Sequence, residues 1–164
     1  MKEKIGFVID PTPLPLKGSY AGPNPDLLKT KPSVLAVNPF NLVDVDASFN
    51  VEQCKPVATH DCEIEFIRKS REVLTTWNNS GIPLIVPIIT GFNDSLVPGR
   101  NGGIAYGENT YWRNEQTKLV EDFETAGISL DTWNGYTEGY VFVPTEEYGY
   151  TDYNWGKSVI QSIP

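Results

Sequence analysis

The chain has 164 residues, enough for one domain with a single hydrophobic core. Hydrophobic residues make up 40% and charged residues 21%, a balance that folds rather than staying disordered. With 13 basic residues against 21 acidic, the net charge of −8 argues against a phosphate-neutralising nucleic-acid surface and against adhesion to anionic lipid.

The first ten residues carry two lysines and then a short apolar run ending at Asp10. A signal peptide needs roughly 7–15 apolar residues and a membrane span about 18. The run therefore predicts a strand over Lys4–Asp10. A Pro- and Gly-rich loop, Pro11 to Pro32, leads to a second apolar run, Ser33–Phe40. The next segment holds Cys54 and Cys62, the only cysteines, and His60, the only histidine. The cysteines can pair in an oxidising compartment or remain thiols. A zinc site would need further ligands, so no metal is expected.

Helical spacing of Ile64, Ile67, Val73, Leu74 and Trp77 predicts a helix that Gly81 ends. The run Pro83–Ile89 predicts a third strand. The long loop after it, Thr90–Asn109, is Gly-rich but lacks the Lys-Ser/Thr pair of a phosphate-binding loop, so no nucleotide cofactor is expected. Tyr111, Trp112, Leu119, Val120 and Phe123 predict a second helix stopped by Gly127, followed by a strand over Ile128–Asn134. After a loop from Gly135 to Tyr150, Thr151 to Ile163 predicts a closing helix, weakened by Gly156 by about 1 kcal/mol.

The first three strands are near-continuous apolar runs, as in a parallel sheet covered by helices. Four βα units build either an open doubly wound sheet or half of an eight-stranded barrel. The long loops follow the C-terminal strand ends, while returns from helix to strand are short. That is the plan of a (β/α)8 enzyme, whose active site lies at that face.

The end of the fourth strand holds Trp133, Asn134, Gly135, Tyr136, Thr137, Glu138 and Gly139, then Phe142-Val143-Pro144, then Glu147-Tyr148-Gly149. This stretch resembles the final strand and loop of the family 99-like glycoside hydrolases, (β/α)8 enzymes that include endo-α-mannosidases. Their last strand ends in an aromatic-Asn-Glu-x-x-Glu-Gly run, followed by Ile-Glu-Pro and an acidic-Tyr-Gly element. The stretch from Pro83 to Ser95, with Arg100, is similar to their penultimate unit. The resemblance covers the second half of the chain. The first half matches by strand order and by the strand end Val37-Asn38-Pro39-Phe40.

The resemblance implies the C-terminal (βα)4 half of a (β/α)8 TIM-type barrel, spanning residues 1–164 as one domain and hydrolysing a glycosidic bond in a polysaccharide or glycan. Glu138 matches the family's general acid/base. The family's other two Glu positions are Gly135 and Val143 here, and a two-carboxylate mechanism needs a second acid. Asp10, Asp94 and Asp131 are the candidates to share the bowl. By strand alternation Asp131 shares a face with Trp133, where it would support the site from below. Asn134, Trp133, Tyr136, Tyr140, Asn38, Phe92, Asp94 and Arg100 are the expected substrate-binding residues, with Tyr136 and Tyr140 the candidates for stacking on a pyranose. The Glu146-Glu147 pair is expected on a solvated surface.

A half-barrel leaves two open edges, so the expected partner is a missing N-terminal half or a second copy of the chain. Neither a nucleic acid nor a membrane is expected as a partner. The resemblance implies an extracellular or periplasmic location, the missing half carrying any signal peptide. Two other readings stay open. One is a carbohydrate-binding relative that has lost the chemistry, and the other is an open-sheet α/β protein with no sugar ligand.

Overall fold

A computed structural model of the chain describes residues 7–9, 34–39, 60–92, 98, 106–107, 109–131, 135 and 141–163. In chain order it contains β1 (Phe7–Ile9), β2 (Val34–Val37), α1 (His60–Asn78), β3 (Leu84–Ile89), β4 (Gly91–Phe92), β5 (Tyr106–Gly107), α2 (Thr110–Asp122), β6 (Thr125–Asp131) and α3 (Thr151–Ser162). Four strands form one sheet in the order β1-β2-β3-β6, each neighbouring pair parallel. Among the described strands the order does not reverse along the chain. A doubly wound sheet requires such a reversal, because right-handed crossovers change face only when the chain changes direction across the sheet.

The register assigns the two faces. Leu84, Val86 and Ile88 point to one side of β3 and are exposed by no more than 1%. Ile88 and Val86 pair with Leu130 and Ile128 of β6, which pack against the same core. That core takes Phe66, Leu74 and Trp77 from α1 and Trp112, Leu119 and Val120 from α2. The third helix joins the same side. A Cβ on Gly156 would fall 2.9 Å from Phe142 Cδ1 and 3.4 Å from Leu130 Cδ2. All three described helices thus cover one face, and Ile85, Pro87, Ile89, Gly127, Ser129 and Asp131 line the other.

Several boundaries differ from the sequence reading. The first helix begins at His60, and Ile64, expected in the core, is 44% exposed. Phe66 and Ser70 take the buried stripe with Ile67, Val73, Leu74 and Trp77. Gly81, at φ +75°, is the left-handed residue that ends this region, as its position predicts. Gly127 does not cap α2. That helix stops at Asp122 and passes through an extended Phe123 into β6, which begins at Thr125. Thr125 Oγ1 donates to Leu84 O at 3.1 Å, and Gly127 N donates to Thr125 Oγ1 at 3.0 Å. These bonds hold the chain extended three residues earlier than Ile128. Gly127 sits inside the strand, opposite Ile85 Cγ1.

Gly156 also has a different role from the expected one. Phe142 is buried and stacks on Trp155 with ring centroids 5.5 Å apart, so only a glycine admits this close crossing. The segment after β3 contains an antiparallel ribbon, Gly91 opposite Gly107 and Phe92 opposite Tyr106. Among the described residues no helix is long and apolar enough to cross a membrane.

Candidate functional site

The C-terminal ends of β3 and β6 meet at the rung Ile89–Asp131. Asp131 is 5% exposed and lies on the face away from the helices. Strand alternation places Ser129 on the same face one step below. Ser129 Oγ donates to Asn38 Oδ1 at 3.1 Å. Asn38 follows Val37, which pairs with Leu84, so it lies level with Ile85, four residues below Asp131. It is therefore a support beneath the rim, not a residue of the rim itself.

This bond spans β3. The strands β2 and β6 are not neighbours, and two strand spacings are roughly 9.5 Å. A sheet that curves toward this face brings a short Ser and an Asn together, whereas a flat one strains the contact. The sequence-predicted residues Asp131 and Asn38 thus share one face, linked through Ser129, which sequence reasoning passed over. Its signal was the alternation in Ile128-Ser129-Leu130-Asp131. Phe92 lies in β4, paired with Tyr106. Glu138, Asp10, Asn134, Trp133, Tyr136, Tyr140, Asp94 and Arg100 lie outside the described residues. Gly135 and Val143, the two positions that depart from the family pattern, are each half-buried. Glu146 and Glu147 are exposed in the turn that Thr145 and Gly149 close, as expected of a solvated pair.

Two hydrogen bonds fix the strand ends that carry this face. Trp112 Nε1 donates to Ile89 O at 2.9 Å, and Val141 N donates to Thr90 Oγ1 at 3.0 Å. The first pins α2 to the end of β3. The second anchors the chain returning from the loop after β6.

A second polar cluster lies where α1 and α2 begin. Asn109 caps α2, its Oδ1 accepting from Trp112 N at 2.8 Å, as Asn does at an N-cap. Its Nδ2 donates to Glu63 Oε1 at 2.6 Å, and Glu63 is 6% exposed. His60 Nδ1 stands 3.4 Å from Glu63 Oε2, with the imidazole edge-on to Tyr111 at 4.4 Å. Burial pushes the Tyr111 phenol above its ordinary pKa; Glu115 and Glu63 add to this and Lys118 opposes it. Further along, Arg113 Nε donates to Asp152 Oδ1 at 2.8 Å, tying α2 to the first turn of α3. Sequence reasoning missed Glu63, whose burial no local pattern announces.

Cys62 lies in the first turn of α1 and is disulfide-bonded, so the choice between paired and free thiols falls to pairing. A disulfide sulfur is not the thiolate that a zinc site needs. Among the described residues no group of three or more His, Cys, Asp or Glu could hold a metal ion. No family model, no curated protein and no solved structure matches this chain.

Proposed function

We propose that the chain is the C-terminal (βα)4 half of a glycoside hydrolase-like barrel. Its site is the face of the sheet that carries Asp131, and its chemistry is hydrolysis of a glycosidic bond in a polysaccharide or glycan. The observation that carries this reading is the one-way order of the described strands, β1-β2-β3-β6, with all three described helices on one side. A sheet wound in that manner has a second face with no described helix on it. In a (β/α)8 barrel that face becomes the interior, built in layers from alternate strands. The Asn38–Ser129 bond between β2 and β6 is a contact between alternate strands.

In this reading Asp131 closes the layer beneath the sugar, and Asn38 and Ser129 hold its strand in place. Glu138 protonates the leaving oxygen as the acid/base. Asp10, Asp94 and Asp131 are the acids on hand for the second carboxylate role. Asn134, Tyr136 and Tyr140 bind hydroxyls and stack on the pyranose. A sugar ligand also suits the acidic chain better than a phosphate-bearing one.

One observation favours a second reading. Gly135 and Val143 occupy the family's other two carboxylate positions, so the bowl can hold a glycan without cleaving it. Release of reducing ends from a panel of polysaccharides separates the two, with wild type and Glu138→Gln run side by side. The hydrolase reading expects activity in wild type, lost in the variant while glycan retention persists. Retention without hydrolysis in wild type selects the binding reading, and hydrolysis unaffected by Glu138→Gln rejects Glu138 as the acid.

A further inference from the structure

The half-barrel reading leaves a sheet with two ends, and the structure says what sort of surface each end presents. At one end β6 pairs with β3 alone among the described strands. Its backbone groups on the far side, along seven residues, meet no described strand, and Ile128, Ser129 and Leu130 are half-exposed along this edge. Beside this edge is a cleft of about 300 Å³ lined by Leu130, Phe142, Tyr153, Lys157, Ile160 and Gln161. Leu130 belongs to the helix-covered face, and the other five come from α3 and the segment leading to it. In a βα sheet the helix after a strand covers the seam between that strand and the next. The cleft is that seam, with no described strand in it. Ile160 is 48% and Tyr153 36% exposed above it.

At the other end Val8 of β1 is 53% exposed, and Leu35 of β2 is 59% exposed. The two edges run in the same direction. Resting on the half-barrel reading, we propose that a second copy of this chain completes the barrel. The β6 edge of each copy pairs in parallel with the β1 edge of the other, and the partner's first strand fills the cleft beside α3.

Three features select a second copy as the occupant. Four strands and four strands make eight, the number whose interior side chains just fill a closed barrel. A two-fold axis uses each edge once and leaves none open, so the assembly closes and does not grow into fibres. The charge pattern permits it as well. Each copy carries −8, yet the cleft lining has no carboxylate and one cation, Lys157. The cleft itself therefore adds no acid to a contact between two acidic copies. The closed barrel also carries each rim acid twice, so one bowl holds Asp131 from both copies. That adds a carboxylate to a rim where Gly135 and Val143 occupy the family's other two Glu positions.

The test is light scattering coupled to size exclusion on the purified chain, with Ile160→Glu and Tyr153→Glu as variants. Both residues are exposed enough for each variant to fold alone, and circular dichroism checks this. The expected result is a particle of twice the 18.3 kDa chain mass. Each variant should weaken its association by roughly 100-fold, as loss of an interface anchor does. A wild type that stays monomeric up to several hundred micromolar overturns the proposal. So does a dimer that neither substitution weakens. Glycan retention by the same samples separates this from the functional reading. A monomer that binds glycan refutes the dimer alone, and a dimer that binds none refutes the function alone.

Discussion

On the helix side of the sheet, Leu84, Val86 and Ile88 meet Phe66, Trp112 and Leu119, and their exposures are about 1% or less. On the other side the neighbouring strand β6 carries Ser129 and Asp131, and Ser129 is joined to Asn38, just after β2, by a hydrogen bond that crosses β3. The two faces divide the work of the fold. The helix face holds the chain together through apolar burial. The opposite face holds polar groups in fixed places at modest energetic cost, because one neutral bond contributes only about 1 kcal/mol. Substitutions on the two faces should therefore separate stability from ligand binding.

The largest effect is expected at Trp112. It is fully buried, its ring lies 5.0 Å from Phe66, and its Nε1 donates to Ile89 O. Trp112→Ala should cost about 3–5 kcal/mol in a denaturant melt. A variant with near-wild-type stability would break the division between the faces. Next is Gly156→Ala. Alanine gains about 1 kcal/mol of helix propensity, but its Cβ meets the Phe142 ring at 2.9 Å. Overpacking against a ring held by Trp155 costs about 1–3 kcal/mol, so the net change should be a loss. A thermal melt that rises would show that the crossing is looser than the structure has it.

Ser129→Ala should lower stability by only about 1 kcal/mol, the loss of one neutral bond. It should weaken glycan retention all the same, since it frees Asn38 and loosens β6 beneath Asp131. Equal losses in both measurements would blur the comparison. The smallest effect concerns Tyr111. Burial favours its neutral phenol, so its folded pKa lies above the ordinary value near 10. The stability this gives is complete below pH 10 and is lost as pH rises through the folded value. Tyr111→Phe should flatten the alkaline slope of stability and leave neutral pH unaffected.

Much of this arrangement was legible in the sequence, for identifiable reasons. The apolar runs around Leu84–Ile89 and Val34–Val37, and the helical spacing ending at Gly81, gave the βα order. Gly81 could be read because φ +75° is a local demand that glycine alone meets cheaply. Gly127 and Gly156 misled because their reasons are not local. One faces Ile85 across a strand pair, and the other lies under a ring supplied by Phe142. The continuous hydrophobicity of β3 also hid which side faces the helices, since both sides are apolar. The alternation in β6 carried that information, and the partner of Ser129 lies 91 residues away in sequence. Glu63, buried through an Asn109 that is 46 residues distant, was invisible for the same reason.

The most direct test of the proposed sugar-binding face is a glycan array probed with wild type and Asp131→Asn, an isosteric change that removes the carboxylate at the rim. Wild type should retain at least one class of oligosaccharide. The variant, folded by circular dichroism, should lose most of that retention. No retained glycan in wild type, or retention that Asp131→Asn leaves unchanged, would contradict the account.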